Sequence, residues 1–254
     1  MKLKVLGCYG SSEASFRLTS FIINDNILLD AGDGVSYLSY DDQIKIEKII
    51  LTHAHLDHIC SLPFIALNLL DAGRLPVDIY TPSPVIKTLK SHIMNDEVWP
   101  DFSRLPSKDN PVFIYREIIE REKIKIGELY LTPIRVDHIV PTYGYILSDE
   151  NNTILFSGDT CDASVIFEEA DKFDNLRAII VEATFSSDYQ KLADDSKHLT
   201  PAALQKQLEI LNSNPEIFLF HMKSKQLDKI RGECKKINRN LTLLEQGKTY
   251  YLGS

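Results

Sequence analysis

The stretch IILTHAHLDHICSLP, Ile49–Pro63, sets three of the chain's seven histidines and one aspartate inside positions 53–58. Lys48–Leu51, which leads in, is a short apolar run that reads as a buried strand, and the residues from Asp57 onward read as a helix. The histidines therefore stand on a strand-to-helix turn. Residues two apart in an extended turn point the same way, so His53 and His55 can address one point while Ala54 and Leu56 face elsewhere. Asp57 and His58 are neighbours, diverge, and can reach a second point close by. Imidazole nitrogen suits zinc and several other first-row metals, and a carboxylate adds a hard oxygen ligand. One histidine in a polar loop would carry no message; three with an aspartate do.

On either side the chain mixes short β-branched runs with helical patterns. Strands are expected at Leu3–Leu6, Ser20–Ile23, Asn26–Leu29, Lys48–Leu51, Val77–Tyr80, Leu129–Val136, Thr142–Ser148, Thr153–Ser157, Ala178–Val181, Ile217–Phe220 and Leu241–Leu244. Helices are expected at Asp57–Asp71, Pro84–Asn95, Ala163–Ala170, Pro201–Asn212 and Lys225–Ile237. Thr200 followed by Pro201 is an N-cap with proline at the first helical position. Early strands come as hairpins and later ones alternate with helices. That mixture predicts an α/β fold of two sheets packed face to face with helices outside, rather than a doubly wound parallel sheet. The 254 residues fit one large domain, and the proline-punctuated stretch 96–125 reads as an irregular insertion or flap within it.

A net charge of −8 argues against a surface that grips nucleic acid. It leaves room for a small anionic substrate, because bound cations reverse the local field of an acidic site. No apolar run is long enough to cross a bilayer, and the amino terminus runs straight into a strand without a signal-peptide pattern. Cys8, Cys60, Cys161 and Cys234 are scattered and read as free thiols. Together these features predict a cytoplasmic protein with no membrane partner.

A metal site needs more ligands than one turn supplies. His138 stands just past a strand in RVDHIVPTYG, Asp159 follows a strand and a Ser-Gly pair in TILFSGDTCD, and His221 ends an apolar run in EIFLFHMKSK. Each alone has a plainer reading: a surface histidine, a helix N-cap (for which Asp162 is better placed), and a histidine at a helix start. All three sit at strand exits, where a rigid frame gathers functional groups.

In that order, His53-x-His55-x-Asp57-His58, His138, Asp159 and His221 resemble the ligand set of the metallo-β-lactamase superfamily, over nearly the whole chain. The resemblance implies an αββα sandwich with a two-metal site at one edge. It assigns His53, His55, His138 and Asp159 to one metal and Asp57, His58, Asp159 and His221 to the other, with Asp159 bridging. The implied cofactors are two divalent ions, zinc first, with manganese or iron(II) as substitutes. An aspartate at 159, where β-lactamases of this superfamily usually have cysteine, fits the phosphodiester-cleaving branches.

Two of those branches share more with this chain. VEATFSSDYQKLADDSKHLTPAALQ resembles a stretch of ribonuclease Z, the tRNA 3′-processing endonuclease, in which a glutamate and a downstream histidine pair for proton transfer; here they would be Glu182 and His198. Without the resemblance, Glu182 would read as a lysine's partner and His198 as a residue ahead of a helix. The same segment also resembles class II 3′,5′-cyclic-nucleotide phosphodiesterases, whose signature opens His-x-His-Leu-Asp-His as this one does. Pro63 departs from the aliphatic residue usual at its place. Bacterial ribonuclease Z carries a long tRNA-gripping arm between the ligands matching His138 and Asp159, where this chain has room only for a turn and two strands.

The resemblance thus predicts hydrolysis of 3′,5′-cyclic mononucleotides, cyclic AMP, cyclic GMP and pyrimidine cyclic nucleotides among them, to 5′-monophosphates. The attack would be in line, by a hydroxide held between the two metals, with Asp57 orienting the water and taking its proton. His198, steered by Glu182, would be the general acid. Ribonuclease Z-like tRNA processing, or another nuclease activity of the superfamily, is the alternative. Non-enzymatic binding of a cyclic nucleotide is the second. Relatives of this kind pair, which predicts a homodimer. His92 has no role in the scheme.

Overall fold

Phe21-Ile22-Ile23 and Ile27-Leu28-Leu29 are apolar at every position, the pattern of strands buried on both faces. The computed structural model, which describes residues 1–74 and 76–253, shows what covers those faces. In chain order its strands are β1 Lys2–Gly7, β2 Ser20–Ile23, β3 Ile27–Ala31, β4 Lys48–Ile50, β5 Val77–Thr81, β6 Phe113–Glu117 and β7 Ile124–Ile126. Then follow β8 Leu129–Val136, β9 Thr142–Ser148, β10 Thr153–Phe156, β11 Leu176–Glu182, β12 Glu216–Phe220, β13 Leu241–Leu243 and β14 Thr249–Tyr251.

One sheet has the order β14-β1-β2-β3-β4-β5-β6, antiparallel up to β3 and parallel from β3 to β6. The other has the order β13-β12-β11-β10-β9-β8-β7, antiparallel from β7 to β10 and parallel from β10 to β13. Alternation along the strands sorts the side chains. Phe21, Ile23 and Leu29 join the core between the sheets, where Phe21 meets Phe156 and Phe220 with ring centroids 5.7 and 5.9 Å apart. Ile22 and Leu28 join a second core with Leu62, Ile65 and Leu69 of the helix Leu62–Asp71. This is the expected αββα sandwich of two mixed sheets with helices outside. Among the described residues no helix is long and apolar enough to cross a membrane. The four cysteines are unpaired.

Three departures from the sequence reading have physical reasons. The helix expected at Asp57–Asp71 is two helices, Leu56–Ile59 and Leu62–Asp71. Ser61 breaks it: its N–H donates to the Ala31 carbonyl at 2.9 Å and its hydroxyl to the Gly32 carbonyl at 2.7 Å, while Pro63 starts the next helix. The helix expected to reach Asn212 ends at Gln207, and the Arg239 guanidinium caps the carbonyls of Leu208 and Leu211. The stretch 96–125, expected to be an irregular insertion or flap, contains β6, which pairs in parallel with β5 along Val77–Thr81 and closes that edge of the sheet. Its first half, up to Val112, holds no strand or regular helix and is pinned by the buried Phe102 and Val112.

Candidate metal centre

The seven proposed ligands leave the carboxyl ends of four strands. His53, His55, Asp57 and His58 follow β4; His138 follows β8, Asp159 follows β10, and His221 follows β12. Glu182 is the last residue of β11. The turns that deliver them are tight. Gly158, just before Asp159, has φ +62°, and His221 itself sits at φ +64°, a left-handed conformation costly for a side-chain-bearing residue. Gly10 allows that arrangement, because a Cβ there would stand 2.7 Å from the His221 carbonyl oxygen.

The side chains converge in two groups. His53, His55 and His138 bring ligating atoms within 4.8 Å of one another, and Asp57, His58, Asp159 and His221 do the same. Asp159 joins the two: its Oδ2 lies 3.8 Å from His53 Nε2, 3.2 Å from His58 Nε2 and 3.4 Å from His221 Nε2. Asp57 Oδ2 lies 3.2 Å from His221 Nε2, and His138 Nε2 lies 3.3 Å from His55 Nδ1. Yet His53 Nε2, His58 Nε2 and both carboxylate oxygens of Asp159 are buried without a hydrogen-bonded partner. Buried polar atoms are normally paired, and leaving them unpaired is costly. Four orphaned nitrogen and oxygen donors at one point are what a divalent cation with imidazole and carboxylate ligands requires. The residues fit the ion.

The remaining ring nitrogens fix how the ligands face. His58 Nδ1–H donates to Asp30 Oδ2 at 2.7 Å, and His138 Nδ1–H donates to the Lys197 carbonyl at 2.9 Å. The Thr52 hydroxyl donates to Asp30 at 2.8 Å and accepts from His53 Nδ1 at 2.9 Å. In each case Nε2 is the ring nitrogen that faces the cluster, the usual way a protein orients a ligating histidine. Asp30 and Thr52 are fully buried, and nothing in the sequence around them marks a role. Asp30 stands at the end of β3 with φ +54°, a conformation that LLDAGDG does not announce.

Electrostatics follow from burial and this crowding. Burial pushes the His53 imidazole well below its ordinary pKa, and the neighbouring His58 adds to that. Burial opposes ionisation of His58 too, but the Asp159 and Asp30 carboxylates hold it well above the ordinary value. Asp159 would be raised by burial, and the imidazoles of His221 and His58 hold it well below the usual carboxylate range instead.

Beside the ligands lies the pair Glu182 and His198. His198 Nδ1 is 2.9 and 3.1 Å from the two Glu182 oxygens, and its ring stacks on His221 at 5.2 Å. A ring nitrogen of His198 comes within 4.8 Å of ligating atoms of His138 and Asp159. Burial pushes the imidazole down, and the Glu182 carboxylate more than offsets it, leaving His198 at about 9. His92 lies in the helical turn Leu89–Ile93, outside these groups.

Residues 25–222 match the family described as the beta-lactamase superfamily domain, a span that takes in all the residues named above from Asp30 to His221. The chain belongs to the beta-lactamase superfamily. Within that superfamily it is 32% identical over 158 residues to a ribonuclease Z of Clostridium kluyveri, a match covering 58% of this chain and 49% of that one. The chain therefore matches about half the length of such curated relatives. In fold it is similar to the metallo-beta-lactamase fold protein YhfI from Bacillus subtilis, at TM-score 0.78 and 20% identity over 98% of this chain and 99% of that one. It is equally similar to unliganded yeast PDE1, at TM-score 0.79 and 18% identity over 99% of both chains.

Proposed function

We propose that this superfamily member is a metal-dependent phosphodiester hydrolase and that its substrates are 3′,5′-cyclic mononucleotides, opened to 5′-monophosphates. The observation that carries the substrate reading is the chain between His138 and Asp159. It is taken up by β9, β10 and the connection 149–152, and β9 is paired on both sides, by β8 and β10. Nothing in that interval extends outward to hold a tRNA, whereas a small cyclic substrate needs no arm. The net charge of −8 supports the same choice.

His53, His55, His138 and Asp159 would hold one ion, and Asp57, His58, Asp159 and His221 a second. Divalent ions bound there would supply Lewis acidity toward the phosphoryl oxygens and lower the pKa of water at the site. Asp57, 29% exposed where the other carboxylate of the cluster is buried, would orient the attacking water and accept its proton. As the water oxygen bonds to phosphorus, the bond to the 3′-oxygen breaks. His198, with Nδ1 engaged by Glu182, has Nε2 left to give that oxygen its proton. The Glu182 carboxylate favours the protonated imidazole, the form a general acid needs.

The test is one preparation, loaded with zinc or manganese, assayed on cyclic AMP, cyclic GMP, pyrimidine cyclic nucleotides, cyclic dinucleotides and precursor tRNA. The expected result is 5′-monophosphate from a cyclic mononucleotide and intact tRNA. The likeness to ribonuclease Z favours a second reading, 3′ cleavage of tRNA. Cut tRNA beside untouched cyclic nucleotides would put that reading in place of the first.

A further inference from the structure

Thr184, two residues past the end of β11, is fully buried and touches three groups of the site at once. Its Oγ1 lies 3.0 Å from His221 Nδ1 and 3.3 Å from His198 Nδ1, and makes a short contact with Glu182 Oε2. A hydroxyl has one proton to donate and two lone pairs to accept with. Glu182 can only accept when ionised, and it already takes the Thr160 N–H at 2.6 Å, the Leu199 N–H at 3.1 Å and His198 Nδ1–H at 2.9 Å. The proton of Thr184 therefore goes to Glu182, and its oxygen is left to accept. His198 Nδ1–H is committed to Glu182, so the donor that Thr184 receives is His221 Nδ1–H.

We propose that Thr184 is a positioning residue that ties the ligand His221 to the carboxylate serving the proton donor, by accepting from His221 Nδ1 and donating to Glu182. The inference rests on the metal reading of the cluster. It fixes His221 in the tautomer whose Nε2 carries a lone pair, and Nε2 is the atom 3.2 Å from Asp57 and 3.4 Å from Asp159. One buried carboxylate then orders both halves of the site, His198 directly and His221 through a single hydroxyl. Asp30 and Thr52 order His58 and His53 in the same way on the opposite side.

The test compares wild type with Thr184→Val, which keeps the shape and loses the hydroxyl, and Thr184→Ser, which keeps the hydroxyl. Metal-stripped proteins are titrated with zinc against a competing chromophoric chelator, with circular dichroism confirming the fold of each. Removing a group that orients a ligand costs about 10- to 100-fold in metal affinity. Thr184→Val is expected to lose that much at one of the two ions, and Thr184→Ser to retain wild-type affinity. A folded Thr184→Val that binds zinc as wild type does, or a folded Thr184→Ser as weak as Thr184→Val, overturns the inference and leaves the metal reading intact. A wild type that takes up no zinc overturns both. Long-range 1H–15N spectra of zinc-loaded wild type test the tautomer without any variant: His221 protonated at Nδ1 supports the inference, and protonation at Nε2 overturns it.

Discussion

Glu182→Gln should flatten the alkaline loss of stability of the metal-stripped protein. Glu182 is fully buried and accepts from Thr160 N–H, Leu199 N–H, the Thr184 hydroxyl and His198 Nδ1. It holds His198 at about 9, against an ordinary value of 6.5. A folded-state pKa raised above the unfolded one contributes stability that is fully present below about pH 6.5 and lost as pH rises through about 9. At 1.36 kcal/mol per unit, the pair should contribute about 3 kcal/mol at pH 6 and almost nothing at pH 10. With glutamine at 182 the carboxylate is gone, burial pushes His198 down, and that slope disappears. His58, also held high by its carboxylates, titrates on the same side, so the difference between variant and wild type isolates His198. The variant should also be less stable at every pH, because a carboxamide cannot accept from all four donors, and each one left unpaired costs about 1–3 kcal/mol. The assay is urea unfolding of both chelator-treated proteins from pH 6 to 10. A difference between the two that stays constant across that range would refute the coupling of His198 to Glu182.

Other outcomes follow from the same contacts. In Asp30→Asn the new NH2 must face either Thr52 N–H or His58 Nδ1–H, so zinc affinity should fall about 10- to 100-fold in a chelator competition titration. His198→Ala should lower turnover of a cyclic nucleotide by about 10²- to 10⁴-fold while sparing a phosphodiester with a good leaving group; equal losses on both substrates would remove its role as acid. Gly10→Ala would put a Cβ 2.7 Å from the His221 carbonyl, and the displaced backbone should cost about 1–3 kcal/mol in urea unfolding and weaken metal binding.

The ligands were legible because their spacing is local and their residue types are rare: an HxHxDH run on a strand-to-helix turn says metal before any fold is known. His138, Asp159 and His221 were legible as residues at the ends of apolar runs. Asp30, Thr52 and Thr184 were not, although each is fully buried beside a ligand. An aspartate or threonine at a strand end is ordinary, and what gives these three their role is contact across 14 to 37 positions of chain or backbone at positive φ. Strands β6, β7 and β14 escaped for a different reason. They lie at or beside sheet edges, carry charged or exposed residues such as Arg116, Lys125 and Tyr251, and lack the two-faced apolar signal of β2 and β3.

On the proposed reading, the orphaned donors on His53, His58 and Asp159 belong to two ions that share Asp159. Anomalous diffraction at the zinc edge from crystals of the zinc-loaded protein addresses it most directly. Two peaks are predicted, one among His53, His55 and His138 and one among Asp57, His58 and His221, with Asp159 touching both. A single peak that leaves Asp159 unligated, or no peak at this cluster, would contradict it.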